Sequence, residues 1–260
     1  MFFILAQPAS VDTLPAVRIV LVEPQGEINI GSIARVMKNM GLQQLWMVSP
    51  RCDPKGELAQ RWAVHAEDVL QQAKVTDSLE AALADCQRVF ATVGRDVADL
   101  ALPCWTPRQA APQLLAVAQS ALVFGREDRG LTNAELECAH GLVKIPTANT
   151  YPSLNLAQAV AVCCYELWLT ACDSVGTFPH RDAVPFERLQ GFYDHLEQVL
   201  LQIGFLYPHT AASRMTKVRS LLGRAYPTEA EVALLRGMVR QVEWAIQHAA
   251  TIPSETFPLK

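Results

Sequence analysis

The sequence lacks the features that mark several large protein classes. Its seven cysteines form no C-x-x-C pair and several lie in apolar runs, which predicts buried free thiols and neither disulfides nor a zinc site. No G-x-G-x-x-G motif follows the first predicted strand, which removes support for a nicotinamide-dependent dehydrogenase and weakens a Rossmann-type methyltransferase. No apolar run reaches membrane-spanning length, and no basic residue precedes the short apolar start at residues 1–6. We therefore expect a cytoplasmic protein with free thiols, no metal and no membrane association.

An excess of positive charge is also missing. The chain has 22 Lys and Arg against 26 Asp and Glu, a formal net charge of -4. Bulk attraction therefore does not predict nucleic-acid binding, and any contact with RNA must come from a local patch. The 260 residues, half of them hydrophobic, are enough for one large domain and a smaller one.

Strand and helix patterns alternate through the first two thirds of the chain. Apolar and β-branched runs predict five strands, at 17–22, 45–48, 88–93, 121–124 and 142–145. Helical patterns separate most of them, among them 59–73, 78–86 and a long helix from 153 to about 172. This alternation predicts an α/β fold with a mostly parallel sheet covered on both faces.

The pattern changes after residue 172. A polar stretch with glycine and proline indicates a linker, and beyond it apolar residues recur only at helical spacing, at 189–203 and 232–246. We expect a helical C-terminal extension. The predicted boundaries are a loose N-terminal tail at 1–15, the α/β domain at 16–172, a linker at 173–185, the helical extension at 186–250 and a tail at 251–260.

Three segments that follow or end predicted strands are rich in groups that can bind a ligand. They are residues 29–35, 124–131 and 145–156. Because ligands collect at the carboxyl ends of parallel strands, the three segments predict a single site. Gly125 is expected to let a ligand approach the backbone closely, since it has no Cβ. Ser153 begins the long predicted helix, either as a binder of polar ligand atoms or only as its N-cap.

These segments resemble the motifs of the SPOUT class of RNA methyltransferases. Phe124–Glu127, Gly130–Leu131 and Pro152–Ala157 are similar to the second and third motifs. Asn29, Gly31 and Arg35 resemble the first motif of the branch that methylates ribose 2′-hydroxyls. The helical end resembles one subfamily of this branch, on Phe192–Glu197, Ile203–Phe205 and Leu234–Gly237. That subfamily methylates the ribose of nucleotide 32, cytidine or uridine, in the anticodon loop of tRNA.

The resemblance implies a fold, a reaction and a set of site residues. It implies that the C-terminal part of the α/β domain ties a trefoil knot and that the protein is a homodimer. The expected reaction is transfer of a methyl group from S-adenosylmethionine to a tRNA 2′-hydroxyl, without a metal. The residues that would bind S-adenosylmethionine are Thr92, Val93, Gly94, Gly125, Ile145, Pro152, Ser153 and Leu154.

Asn29 and Arg35 are the catalytic candidates. Arginine is effectively always protonated and is therefore a poor base. We predict that Arg35 grips the adjacent phosphate and polarises the 2′-oxygen, while a phosphate oxygen or Asn29 helps proton movement. The alternative is that Arg35 is a surface residue on a solvated helix face.

Charged residues elsewhere are candidates for RNA contact. Arg126 and Glu127 could form a local ion pair; we predict a positioning role for Glu127 and a contact with RNA or a partner subunit for Arg126. In the helical end we predict phosphate contacts from Arg214, Lys217 and Arg224, with a solvated amphipathic face as the alternative. Two other functions stay open: a ribosomal RNA 2′-O-methyltransferase of the same fold, and a non-catalytic RNA-binding module.

Overall fold

The central element of the fold is a seven-stranded sheet. The computed structural model describes residues 11–94, 102–148, 150–173 and 184–248. The described strands are β1 Val17–Val22, β2 Gln44–Val48, β3 Lys74–Thr76, β4 Arg88–Thr92, β5 Cys104–Trp105, β6 Ser120–Phe124 and β7 Gly141–Val143. Their order is β3-β2-β1-β6-β4-β7-β5, and every neighbouring pair is parallel. The predicted parallel sheet is therefore confirmed.

Both faces of the sheet are buried, which explains why its central strands are almost entirely apolar. All six residues of β1 are buried. Successive side chains of a strand point to opposite faces, so Ile19 and Leu21 join one core cluster while Val20 and Val22 join the other. A strand buried on both faces has no polar alternation. The sequence of β1 is apolar except for Arg18, whose side chain is 2% exposed and pairs with Asp85 over 2.8 Å.

Ten helices lie in the described part of the chain. They are α1 Glu27–Asn39, α2 Glu57–Ala63, α3 Glu67–Gln72, α4 Leu79–Leu83, α5 Pro107–Leu115, α6 Asn133–Glu137, α7 Leu156–Asp173, α8 Phe186–Gln202, α9 Ala211–Ala225 and α10 Glu229–Gln247. The first core cluster contains buried residues of α1, α2, α3, α5 and α7, and the second contains those of α4 and α6. The predicted cover on both faces is therefore present.

Several elements differ from those predicted. The helix expected at 59–73 is two helices, α2 and α3, because the backbone at Val64 has a positive φ of 58°. Residues 11–15, assigned to a loose tail, belong to a short 3-10 helix, Val11–Ala16, and the Leu14 side chain is fully buried in the first core cluster. Residues 1–10, most of the predicted linker and the tail at 251–260 lie outside the described residues.

The C-terminal helices form their own core and join the sheet at its amino edge. Buried residues of α8, α9 and α10 make a third cluster. The Arg88 guanidinium, at the first residue of β4, lies 3.4 Å from the centroid of the Tyr226 ring, which follows α9. The backbone N–H of Phe186 donates to the Cys86 carbonyl over 2.8 Å. The helical unit is therefore attached at the edge opposite to the carboxyl ends of the strands.

Candidate active site

Hydrogen bonds join the three predicted loops at the carboxyl edge of the sheet. The Asn155 Nδ2 donates to Asn29 Oδ1 over 3.0 Å, and the Asn29 Nδ2 donates to Glu127 Oε1 over 2.9 Å. These residues follow β7, β1 and β6, and β1 and β6 are neighbours in the sheet. The structure thus brings together segments that lie about one hundred residues apart in the chain.

Glu127 also holds the start of α1. Its carboxylate accepts hydrogen bonds from the backbone N–H groups of Gln25, at 3.1 Å and 3.2 Å, and of Gly26, at 3.3 Å. Gly26, the N-cap of α1, has no side chain to cap the helix. A carboxylate near a helix N-terminus satisfies free N–H groups and interacts favourably with the helix dipole. These contacts are what a positioning role for Glu127 requires.

A cavity of about 300 Å³ opens beside this junction. Its lining includes all eight residues that the resemblance assigns to S-adenosylmethionine: Thr92, Val93, Gly94, Gly125, Ile145, Pro152, Ser153 and Leu154. The volume lies at the lower end of the range for small-molecule sites. Asn29 and Arg35 are not among the lining residues. The binding of S-adenosylmethionine by these residues stays a prediction.

Gly125 is required by the chain itself. A Cβ at this position would lie 2.2 Å from the Gly130 carbonyl carbon and 2.4 Å from the Leu131 nitrogen. The loop folds back over Gly125, where the Gly130 N–H donates to the Arg126 carbonyl over 2.9 Å, and Gly130 has a φ of +68°. The close approach of a ligand to Gly125, which lines the cavity, stays a prediction, and the loop's own backbone gives a second reason for glycine at this position.

Arg126 lies inside the protein. Its side chain is 6% exposed and its guanidinium contacts the carboxylates of Glu23 and Glu135, with two 2.9 Å hydrogen bonds to the latter. These contacts argue against the predicted RNA contact. The alternative interpretation, an ion pair that shapes the loop, fits the structure. The partners of Arg126 are Glu23 and Glu135, however, and not the neighbouring Glu127.

The ion pairs around Arg126 shift the pKa of each partner. Hydrogen bonds from Arg126 and Arg51 lower the pKa of Glu23 to about 2. Burial on its own raises the pKa of Glu135, but the hydrogen bonds from Arg126 and Thr132 outweigh burial and leave it below its ordinary value. Hydrogen bonds to the two carboxylates raise the pKa of Arg126. All three groups are therefore charged at neutral pH.

Arg35 lies on the exposed side of α1, six residues after Asn29. At about 100° per residue, the two side chains point about 120° apart around the helix axis. Within the described residues Arg35 has no side-chain hydrogen bond or ion pair. A single chain therefore does not bring Arg35 to the cavity, and its catalytic role stays a prediction.

Asn155 is the residue that sequence reasoning missed. Helix α7 begins at Leu156, and the Asn155 Oδ1 accepts from the backbone N–H groups of Ala157, at 2.9 Å, and Gln158, at 3.4 Å. Asn155 is therefore the N-cap, and the expected helix start at Ser153 is corrected. Asparagine directly before an apolar helical run was the available signal.

The three residues of α9 that were predicted to contact phosphates, Arg214, Lys217 and Arg224, are exposed but differ in their contacts. The Arg224 Nε donates to the Ser220 carbonyl of its own helix, and the Arg214 Nη1 donates to the Phe205 carbonyl over 2.7 Å. The Lys217 side chain is exposed. These residues belong to the helical unit at the amino edge of the sheet, so the structure does not bring them to the cavity. Their contact with RNA stays a prediction.

The described residues contain no group of three or more His, Cys, Asp or Glu residues that could hold a metal ion. No helix within the same ranges is long and apolar enough to cross a membrane.

Fold and site together define an α/β protein with a ligand cavity at the carboxyl edge of a parallel sheet. Residues 16–165 match the SpoU rRNA Methylase family, and residues 187–251 match the tRNA methyltransferase TrmJ C-terminal domain. The tRNA (cytidine/uridine-2′-O-)-methyltransferase TrmJ of Klebsiella pneumoniae is 42% identical over 239 residues, which cover 88% of this chain and 97% of that protein. The corresponding protein of Cronobacter sakazakii is 41% identical with the same coverage.

Solved structures show the same relationship. The crystal structure of TrmJ from Z. mobilis ZM4 superposes with a TM-score of 0.76 at 33% identity and covers 87% of this chain and 98% of that chain. A putative methylase family protein from Neisseria gonorrhoeae superposes with a TM-score of 0.67 at 35% identity, covering 73% and 98%. The chain therefore belongs to the SpoU methylase family and, within it, to the TrmJ branch. The SPOUT resemblance inferred from the loops is confirmed, whereas the trefoil knot stays a prediction.

Proposed function

We propose that this protein transfers a methyl group from S-adenosylmethionine to the ribose 2′-hydroxyl of nucleotide 32, cytidine or uridine, in tRNA. The observation that carries the proposal is the cavity at the carboxyl edge, whose lining contains all eight residues expected to bind the methyl donor. Relatives at 41% and 42% identity are named for 2′-O-methylation of cytidine and uridine in tRNA. A cytoplasmic location, expected from the sequence, suits a tRNA substrate.

The reaction requires the protein mainly to position the methyl donor and the ribose hydroxyl. The bound donor would supply a methyl group on a sulfonium, already reactive towards an oxygen nucleophile. The ribose oxygen must approach in line with the breaking sulfur–carbon bond and lose its proton as the oxygen–carbon bond forms. Holding reactants in such a geometry can account for much of a rate enhancement. The cavity walls would hold the donor, and the hydrogen-bonded junction beside them would set the direction of the ribose.

Asn29 suits placement better than proton transfer. Its Nδ2 already donates to Glu127 and its Oδ1 already accepts from Asn155. An amide held at both ends keeps a fixed orientation but has little capacity to accept a proton. In this proposal the proton leaves to a phosphate oxygen of the RNA, and Arg35 stabilises the charge that develops at the 2′-oxygen.

A second copy of the chain would explain the exposure of Arg35. The helices on one face of the sheet carry exposed apolar side chains: Ile28 of α1 is 42% exposed, Trp62 of α2 is 47% and Tyr165 of α7 is 48%. Helix α1 contacts both α2 and α7, so this surface is continuous. Arg35 follows Ile28 by seven residues and therefore lies on nearly the same side of α1. We infer that a homodimer covers this surface and brings Arg35 to the partner's site.

Mixed dimers test the shared site. Arg35→Ala should leave binding of S-adenosylhomocysteine unchanged and lower the methylation rate by orders of magnitude, as expected for a group that acts in the transition state. Gly94→Trp should block the cavity. Each variant alone should be inactive, whereas a mixed dimer has one site with an open cavity and an intact Arg35. Activity regained on mixing supports the proposal, and no recovery in verified mixed dimers contradicts it.

Methylation of ribosomal RNA is the second candidate, because the family that matches residues 16–165 is described by rRNA methylation. The helical C-terminal match and the names of the relatives favour tRNA. Methyl transfer by the purified full chain to tRNA and to rRNA, measured side by side, separates the two. Transfer to rRNA alone would replace the tRNA proposal, and transfer to neither, with the donor bound, would favour a non-catalytic RNA-binding module.

A further inference from the structure

The loop between α8 and α9 presents aromatic rings to solvent at one end of the helical unit. Phe205 is 58% exposed and Tyr207 is 54% exposed, while Leu206 between them is 2% exposed and belongs to the third core cluster. The buried leucine anchors the loop. Its two neighbours must then point outwards, so the exposure of both rings follows from the local backbone.

This loop is held in place by hydrogen bonds. The backbone N–H groups of Phe205 and Leu206 both donate to the Leu200 carbonyl over 3.0 Å. The Arg214 Nη1 donates to the Phe205 carbonyl, and the Thr210 N–H donates to the Tyr207 carbonyl over 2.8 Å. A ligand that binds here meets rings on an ordered backbone, so less conformational entropy is lost on binding.

Cationic and aromatic groups surround the two rings. The His209 ring stacks on Tyr207, with centroids 5.9 Å apart and planes 21° from parallel. The Arg214 guanidinium lies 5.7 Å from the Phe205 centroid. Such a combination of flat rings and a guanidinium plane is the kind of surface on which unpaired nucleobases stack.

The surrounding charge is of one sign. Residues 198–228 contain four Lys and Arg and no Asp or Glu, in a chain that is acidic as a whole. Arg214 and Lys217 are both exposed and lie one helical turn apart on α9. Among the described residues no carboxylate pairs with Arg214. The loop and the start of α9 thus complement a ligand that carries negative charge beside flat rings.

We propose that Phe205, Tyr207, His209 and Arg214 form a stacking platform for unpaired bases of the RNA substrate, with Arg214 and Lys217 on the adjacent phosphates. This inference rests on the proposed function only in taking RNA as the ligand. A protein partner would use the exposed apolar area, but it would have no need for planar rings beside exposed cations. A second copy of the chain has a net negative charge, but it has no unpaired base that could stack on the rings.

The platform belongs to a unit that joins the sheet at the edge opposite to the cavity. Arg88, which contacts Tyr226, and Thr92, which lines the cavity, are at the two ends of β4, about 13 Å apart at the rise of a strand. None of the platform residues is among those that line the cavity, so we do not expect the platform to touch the reacting atoms. Its loss should weaken RNA binding and raise KM while kcat is preserved.

Paired variants of the full chain test the proposal. In Phe205→Leu/Tyr207→Leu both side chains stay apolar but lose their flat rings; in Phe205→Tyr/Tyr207→Phe the rings are kept. Leu234→Ala, at a side chain 61% exposed on α10, is the matched control. The probes are an anticodon stem-loop RNA and a fully paired RNA duplex of equal length. Melting temperature, S-adenosylhomocysteine binding and sedimentation establish that each variant is folded and assembled.

The leucine variant should bind the stem-loop at least about tenfold more weakly, because base–aromatic stacking contributes a factor of this order per base. Binding of the duplex and the salt dependence should not change. The aromatic exchange and Leu234→Ala should bind as the wild type does. In contrast, Arg214→Gln/Lys217→Gln should flatten the salt dependence, since fewer counterions are released.

Three results would overturn the platform: unchanged stem-loop affinity in a folded leucine variant, an equal loss with the duplex, or a change in sedimentation that marks the surface as a contact between copies. If the leucine variant is not folded, the single variants Phe205→Leu and Tyr207→Leu take its place under the same criteria. Failure of the proposed function would give a different result from failure of the platform. The wild-type protein would then bind the stem-loop through the platform but would not methylate it.

Discussion

Replacing Arg126 by methionine tests whether this residue is structural. The change removes the guanidinium and keeps much of the bulk, so it leaves the Glu23 and Glu135 carboxylates facing each other without their shared cation. Both are mostly buried, at 16% and 18% side-chain exposure, and the arginine between them is 6% exposed. The variant therefore combines a lost ion pair with repulsion between two carboxylates.

The expected cost follows from this burial. Removing one partner of a buried ion pair typically costs about 3–5 kcal/mol. Here the carboxylates keep some contact with water, and the buried Arg126 Nε has no hydrogen-bond partner among the described residues, so the lower part of this range applies. We expect a loss of about 3 kcal/mol of unfolding free energy. For a chain of this length that corresponds to a melting temperature lower by roughly 10 °C.

Arg51→Met is the matched control. Arg51 contacts the same Glu23 carboxylate, at 2.6 Å, but its side chain is 62% exposed. An exposed ion pair contributes at most about 1 kcal/mol. Urea unfolding of both variants gives the two free energies, and filter binding at two salt concentrations gives their affinities for RNA. Equal stability of the two variants, together with a flatter salt dependence in Arg126→Met alone, would refute the structural role and restore the RNA contact.

The same ion pairs make a pH prediction. The pKa values of Glu23 and Glu135 are lower in the folded protein than in the unfolded chain. Their contribution to stability is therefore present above the unfolded pKa, near 4.5, and is lost as pH falls towards about 2. Arg126→Met should lose this part of the acid dependence. An identical acid dependence in wild type and variant would contradict the assignment.

Three further predictions concern the cavity, the junction and a buried histidine. Gly94→Trp should abolish the thermal shift caused by S-adenosylhomocysteine while the fold is kept, because a Cβ at Gly94 meets no atom of the described residues within 4 Å. Gly125→Val should instead lower the melting temperature itself. A wild-type shift in folded Gly94→Trp would argue against the cavity. Asn155→Ala should lower kcat several-fold with unchanged donor binding, since Asn29 loses its orientation; an unchanged kcat would remove Asn155 from the site. Burial and the nearby Arg88 charge lower the pKa of His140 to about 4. The free energy of unfolding, measured in urea, should therefore fall as pH drops from about 6.5 towards 4. Replacement of His140 by glutamine should remove this fall, and its persistence would assign it to another group.

Local pattern was sufficient for the main strands and for the position of the site. The run Val17–Val22 is apolar except for Arg18 because β1 is buried on both faces, and this signal is local. The edge strands β3 and β5 escaped prediction because three and two residues are too few to show any periodicity. The split between α2 and α3 depends on the backbone at Val64, which apolar spacing does not report.

The contacts inside the site could not be predicted, because they join residues far apart in the chain. Asn155 is hydrogen-bonded to Asn29, which lies 126 residues away in the chain, and Asn29 is hydrogen-bonded to Glu127, 98 residues away. Arg126 was recognised as a charged candidate, but its partners, Glu23 and Glu135, are selected by the fold. For the same reason the close approach of the Gly130–Leu131 backbone to Gly125 could not be predicted from the sequence.

The most direct test of the account is methyl transfer to a tRNA that carries a single 2′-deoxyribose at nucleotide 32. With purified full chain and radiolabelled S-adenosylmethionine, unmodified tRNA should incorporate one methyl group per molecule, and the deoxy-substituted tRNA should bind with similar affinity and incorporate none. Incorporation that is equal in the two tRNAs would contradict the proposed acceptor.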